Sequence, residues 1–228
     1  MNEILDWVLT TVREIDPALR ALIAMVGMFL ETSILIGMVI PGDTIALIAA
    51  AGVTTSTEFI WLMLALILGA LAGESVGFFI GRYFGPRLKA SRLGRRIGEK
   101  NWMLAALYLG DKGGVAIFVS RFLPVLHSVV PITAGMTRMR YRSFIAWTAA
   151  ASLVWSTIYV SFGYFAALGY EQLSSTVKFA GYIIVGIVVI AVLSLWLLKK
   201  FIFKREISHL EETLDARQPK NNHSTDGP

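Results

Sequence analysis

What the chain is short of narrows what it can be. It has no cysteine, which removes disulfides, thiolate metal sites and cysteine nucleophiles. Only 16% of its 228 residues are charged, well under the ~25% of soluble domains. The opening MNEILDWVLTTVREIDPALR lacks the basic start and small-residue cleavage site of a signal peptide, since Glu3, Asp6, Glu14 and Asp16 outnumber Arg13 and Arg20. Two connections, 54–58 and 170–175, contain no Lys or Arg at all. The net charge of +5 would suit nucleic acid. The basic residues, however, gather at the ends of apolar segments, where membrane topology puts them, so nucleic acid is excluded as a partner. What is present, 55% apolar residues and a mean hydropathy of +0.63, describes an integral membrane protein.

A helical span needs about 20 apolar residues. Stretches near 58–82, 143–168 and 177–201 meet that length. Two others, 21–52 and 114–136, are interrupted: the first by Glu31 and Pro41-Gly42-Asp43, the second by Arg121, Pro124, His127 and Pro131. Proline removes a backbone donor and clashes with the preceding turn, and freed backbone groups cannot face lipid. Both stretches therefore read as re-entrant helical hairpins, near 28–52 and 114–136, with Pro41, Gly42, Pro124, Pro131 and Gly135 as the breakers. Residues 1–20 form an N-terminal interfacial segment. The polar residues 206–228 form a cytoplasmic tail, whose end, QPKNNHSTDGP at 218–228, is expected to be disordered.

The two broken stretches share an order. Glu31 precedes Pro41 by ten positions and Arg121 precedes Pro131 by ten. Each stretch is followed by a span that opens on aromatics and closes on glycines. The expected fold is all-α and polytopic: two inverted repeats, each a re-entrant hairpin plus a transmembrane helix, and a C-terminal transmembrane helix. Interrupted segments in matching positions of two halves are the sequence mark of a transporter site at the repeat interface. Arg82, Arg87, Lys89, Arg92, Arg95, Arg96 and Lys100 crowd residues 82–100, and Lys199, Lys200, Lys204 and Arg205 follow the last span. The positive-inside rule places both on the cytoplasmic side.

An ionisable group near the bilayer centre costs about 2.5–3.5 kcal/mol, so Glu31, Asp43 and Arg121 need partners, water or protons. The cheapest arrangement sets the acidic hairpin against the basic one, with Arg121 within reach of Glu31 or Asp43. Unpaired N–H groups at hairpin tips favour anions, and with a guanidinium they would cradle a phosphate. The carboxylates would neutralise Arg121 when no substrate is bound and exchange a proton in the cycle. His127 is either a second cation of this site or a packing residue, and Glu74 is either a cavity residue or a helix-packing partner. The reading calls for no metal and no cofactor, only a membrane lipid and protons, and it leaves a homo-oligomer open.

Enzyme chemistry is not expected. SRFLPVLH at 120–127 matches part of a lipid-phosphatase signature, but Pro131 stands where an acid must orient the histidine, and the Pro-Ser-Gly-His element is missing. Intramembrane aspartyl proteolysis would need Gly-x-Gly-Asp, and Ile40-Pro41 precede Gly42-Asp43 instead. Two non-enzymatic alternatives stand beside lipid transport: a proton-coupled transporter or antiporter for a small ion or solute, and a non-transporting membrane organiser.

Three segments, Glu31 through Pro41-Gly42-Asp43, AGESVGFFIGRYFG at 72–85 and SRFLPVLHSVVPITAGMTRMRYRSF at 120–144, together resemble the DedA family, related to the SNARE-associated Golgi (VTT-domain) proteins, over about residues 20–170. The resemblance implies that the family's embedded acidic pair falls on Glu31 and Asp43 and its first hairpin arginine on Arg121. Its second arginine is His127 here, and Glu74 stands where the family commonly has Asp. It also implies a multi-pass protein of the bacterial cytoplasmic membrane that moves undecaprenyl phosphate or a phospholipid across it, linked to proton-motive force.

Overall fold

Asp16 and Pro17 set the first firm helix boundary. In a computed structural model, described over residues 2–33, 42–123, 126–137 and 139–174, Asp16 Oδ1 accepts the N–H groups of Ala18 and Leu19 at 2.9 and 3.1 Å. Pro17, with no N–H to lose, takes the first helical position. The helix that it opens, α2 (Pro17–Ser33), follows a separate α1 (Asn2–Glu14). The segment expected as one unit at 1–20 is thus split at Asp16.

Helix α3 (Gly42–Ala51) and the long α4 (Ser56–Ala90) come next. The Thr-Ser-Thr-Glu stretch at 55–58 starts α4 as its sequence suggests: Thr55 Oγ1 accepts the Glu58 N–H at 3.2 Å, while the Glu58 carboxylate turns back to the N–H and hydroxyl of Thr54. Helices α5 (Arg92–Ile97), α6 (Glu99–Lys112), α7 (Gly114–Ser120), α8 (Leu126–Met136) and α9 (Tyr141–Ser174) follow, and no strand occurs among the described residues.

Among the described residues, two helices are long and apolar enough to cross a bilayer: α4, and α9 over Tyr141–Gly169. Both outrun the spans read at 58–82 and 143–168. Helix α4 continues through Pro86, because the carbonyl that this proline leaves without a donor is that of Arg82, at the polar end of the helix. Ile60, Trp61, Leu64 and Leu68 on α4, and Leu153, Val154, Ile158 and Phe165 on α9, are all exposed. Apolar surface on that scale suits hydrocarbon and not water.

Helix α4 is the organising element. Gly69, Gly73, Gly77, Gly81 and Gly85 recur at every fourth position, leaving one face without side chains, where backbones can approach closely. Helix α2 uses its first half: a Cβ on Gly73 would fall 2.6 Å from the Phe29 carbonyl oxygen and would overlap the Thr32 hydroxyl. Helix α8 uses the second half, where a Cβ on Gly81 would overlap the Ile132 carbonyl. Helix α3 packs on α9, and so does α7. One buried cluster centres on Met28, Ala46, Ala50, Leu66 and Trp155. A second centres on Phe78, Trp102, Ile117, Val129 and Phe144.

Several expectations need correction. The basic stretch 82–100, which lies beyond the span expected at 58–82, is helical: it holds the end of α4 and all of α5, which Ser91 caps through the Gly94 N–H at 3.1 Å. Helix α6 was not anticipated. It is held by Trp102, whose Nε1 donates to the Gly94 carbonyl at 3.0 Å, and it joins its neighbours through Gly98 and Gly113, at φ 85° and 56°. Within 114–136 the chain turns at residues 121–123. Pro131 and Gly135 are not breakers, because α8 runs through both. Packing against α4 outweighs the one hydrogen bond that Pro131 removes, and Gly135 lets α8 meet the Phe78 carbonyl. Pro41, Pro124, the stretch 177–201 and the tail 206–228 lie outside the described residues, whereas Gly42 opens α3.

Candidate functional site

The apolar part of α4 between Glu58 and Arg82 carries a single charged residue, Glu74, about 24 Å along the helix from Glu58 at 1.5 Å per residue. Opposite it, α7 ends at Ser120 and delivers Arg121 into the same interior. The Arg121 Nη1 donates to Glu74 Oε1 at 2.7 Å, and the two side chains are 4% and 6% exposed. Around this pair, Arg121 Nη2 donates to Met28 Sδ at 3.0 Å. The guanidinium carbon lies 4.9 Å from the centre of the Trp155 ring, within cation–π range. Thr148 donates to Glu74 Oε2 at 3.3 Å. Helices α2, α4, α7 and α9 all contribute.

The expected partners of Arg121 form a second cluster. Glu31, near the end of α2 and 7% exposed, accepts the backbone N–H of Asp43 at 2.8 Å. Its carboxylate therefore covers the N-terminus of α3, where unpaired N–H groups and the helix dipole favour an anion. Gly42 makes this possible, since a Cβ there would overlap Glu31 Oε2. Asp43 accepts the Tyr159 hydroxyl at 3.2 Å, and Tyr159 stacks on Trp155 with ring centroids 4.1 Å apart. His127 Nε2 lies 4.0 Å from Glu31 Oε1, and Nδ1 lies 3.4 Å from the Leu123 carbonyl.

The structure thus gathers Glu31, Asp43 and His127 in one cluster and pairs Arg121 with Glu74 in another, with Trp155 and Tyr159 between them. Arg121 is ion-paired to Glu74, not to Glu31 or Asp43, which makes Glu74 a direct partner of the arginine in the interior. Reasoning from sequence missed Met28, Thr148, Trp155 and Tyr159. The one available signal was on α9, where Thr148, Ser152 and Ser156 recur every fourth position in a largely apolar helix. No group of three His, Asp or Glu side chains among the described residues is placed to hold a metal ion.

Long helices with exposed apolar faces around two interior charged clusters fit a helical membrane protein with an ionisable interior. Residues 40–165 match the VTT domain, more than half of the chain, and the chain belongs to this family, the DedA family of membrane proteins. It is similar to Protein DedA of Escherichia coli K12, 28% identical over 170 residues that cover 73% of this chain and 75% of the relative. An uncharacterized membrane protein of Synechocystis is 28% identical over 197 residues, 84% of this chain and 88% of its own. A Lactococcus lactis subsp. cremoris protein named alkaline phosphatase-like is 29% identical over 166 residues, 67% and 77% of the two chains. No solved structure matches the chain significantly.

Proposed function

We propose that this protein translocates a phosphate-bearing lipid, a polyprenyl phosphate such as undecaprenyl phosphate, across the bacterial cytoplasmic membrane with proton coupling. The observation that carries the proposal is the burial of Arg121 against Glu74. A guanidinium stays charged, and its fork of donors fits phosphate oxygens. In this structure the protein's own carboxylates hold two anion positions: Glu74 on Arg121, and Glu31 on the N-terminus of α3. A phosphate entering either position displaces a carboxylate, and a displaced carboxylate in apolar surroundings takes up a proton. Substrate binding and protonation are joined in that exchange. His127, beside Glu31, contributes a second, titratable cation.

The packing order supports a two-fold repeat in which α2, α3 and α4 correspond to α7, α8 and α9. Helix α2 packs on α4 as α7 packs on α9, and the hairpins cross over, α3 onto α9 and α8 onto α4. In the proposed architecture α2–α3 and α7–α8 are re-entrant hairpins opening on opposite sides, and their rocking gives alternating access. The basic end of α4 and the C-terminus face the cytoplasm.

The test is translocation of a short-chain polyprenyl phosphate by purified protein in proteoliposomes. Arg121→Ala abolishes it, and Arg121→Lys does too, because an ammonium lacks the planar fork. Undiminished transport by Arg121→Ala would remove Arg121 from the site. Release of inorganic phosphate from the lipid would replace transport with hydrolysis, the activity suggested by the name of the Lactococcus relative.

A further inference from the structure

Hydroxyl groups buried in this helical bundle mostly bond back to their own helix. Thr32, Ser120, Thr133 and Ser156 donate to the carbonyls of Met28, Ile117, Val129 and Leu153 at 2.8, 2.8, 2.9 and 3.2 Å, the usual way a helix satisfies such groups. Ser152 on α9 departs from this pattern. It is 1% exposed, and its Oγ meets no hydrogen-bonding partner among the described residues. An unmade bond at that depth is costly, so the orientation of this hydroxyl needs a reason.

Its place on α9 suggests one. Residues three and four apart share a helix face. Thr148, one turn before Ser152, donates to Glu74, and Trp155, one turn after, lies under the Arg121 guanidinium. Ser152 therefore sits at the level of the ion pair. Arg121 has a matching deficit. Its Nε is buried without a partner among the described residues, and its Nη2 is directed at the Met28 sulfur, a weak acceptor. Donors that lack good acceptors thus occur on both sides of the pair, and no carboxylate or carbonyl among the described residues serves them.

We infer that Ser152 is a further ligand-binding residue: with Arg121 Nε, its hydroxyl receives the oxygens of the phosphate group that displaces Glu74. This rests on the phosphate-lipid reading above and adds to it a residue from the α9 side. The site then takes a phosphomonoester or phosphodiester head group through a guanidinium and a hydroxyl together, and it discriminates against the neutral alcohol of the same lipid.

The experiment compares wild type with Ser152→Ala, each purified in detergent, by thermal unfolding against increasing concentrations of a short-chain polyprenyl phosphate or its parent alcohol. The phosphate lipid raises the wild-type Tm and the alcohol does not. Without lipid, Ser152→Ala unfolds no earlier than wild type, since it loses only an unsatisfied group. It then needs about 10-fold more phosphate lipid for the same shift, the effect of one hydrogen bond to a charged group. Equal concentration dependence for both proteins overturns the role of Ser152 and leaves the Arg121 site standing. A lower lipid-free Tm with unchanged concentration dependence also overturns it, assigning Ser152 to a water-bridged structural bond. No phosphate-dependent shift in wild type overturns the phosphate-lipid reading and this inference with it.

Discussion

Replacing Glu74 by glutamine removes one charge and changes little else, so it isolates what the buried pair contributes. The Arg121 side chain, 4% exposed, then lies in apolar surroundings without a counter-charge, and a guanidinium does not escape by losing its proton. Removing one member of a buried pair costs about 3–5 kcal/mol. The glutamine carbonyl still accepts from Nη1, which returns about 1 kcal/mol, and the expected loss is about 2–4 kcal/mol. Arg121→Met is milder, because the Glu74 carboxyl left behind takes up a proton and becomes neutral. In Glu74→Gln/Arg121→Met both charges are gone and most of the loss is recovered, giving a coupling of about 2–3 kcal/mol between the two sites. Denaturant unfolding in detergent, followed by tryptophan fluorescence on all four proteins at one pH, measures the cycle. The same cycle on Glu31 and Arg121 gives a smaller coupling, since Glu31 is bonded to the Asp43 backbone instead. A Glu74→Gln loss below about 1 kcal/mol, the range of exposed ion pairs, with additive double-mutant energies, would refute the pairing.

Other expectations follow from the packing and the caps. Gly81→Ala forces α8 off α4 and destabilises by at least about 1–3 kcal/mol. Gly110→Ala, with nothing within 4 Å of its added Cβ, is neutral or stabilising by up to about 1 kcal/mol; the same unfolding assay reads both. Thr55→Ala removes the cap from α4 and costs about 1 kcal/mol, visible as faster amide exchange in the first turn of that helix. Tyr159→Phe keeps the stack on Trp155 but takes the hydroxyl from Asp43, and it destabilises by about 1–3 kcal/mol, the cost of leaving one partner of a part-buried hydrogen bond unsatisfied, again read by denaturant unfolding.

The features of this fold that depend on local chemistry were legible in the sequence. Apolar length located the interiors of α4 and α9, Asp16-Pro17 and Thr55 through Glu58 carry recognisable cap chemistry, and Gly42 marks the start of α3. Isolated charges in apolar runs singled out Glu31, Asp43, Glu74 and Arg121. What stayed hidden depends on rotation and contact between helices. Arg121 and Glu74 are 47 residues apart, and nothing in either segment says which of three carboxylates the guanidinium faces. That choice is made by the glycine face of α4, which sets α2 and α8 close against it and leaves Glu74 directed inward. Pro131 misled for the same reason: its local cost is real, but α4 holds α8 at the proline and beyond it, where Gly77 meets Pro131, Gly81 meets Ile132 and Gly85 meets Met136. Helix α6 was missed because its apolar run, Trp102 to Leu109, is short and lies between charged ends.

The charges in the interior are unequal in number, and this gives the proposed coupling its physical cause. Glu31, Asp43 and Glu74 face one guanidinium and one imidazole. With all three carboxylates ionised the interior is net negative even when His127 carries its proton, and each unmatched charge at membrane depth costs about 2.5–3.5 kcal/mol on insertion scales. A phosphate added to that interior would deepen the imbalance if nothing else changed. In the proposed cycle the site becomes receptive once the carboxylate that the phosphate displaces, Glu74 from Arg121 or Glu31 from α3, is neutral. Two protein carboxylates already occupy the positions an anionic head group would take, so in the proposed cycle the proton that neutralises the displaced one arrives with the head group and leaves with it. Proton coupling then needs no dedicated relay: it follows from one buried arginine shared in turn by a carboxylate and a phosphate.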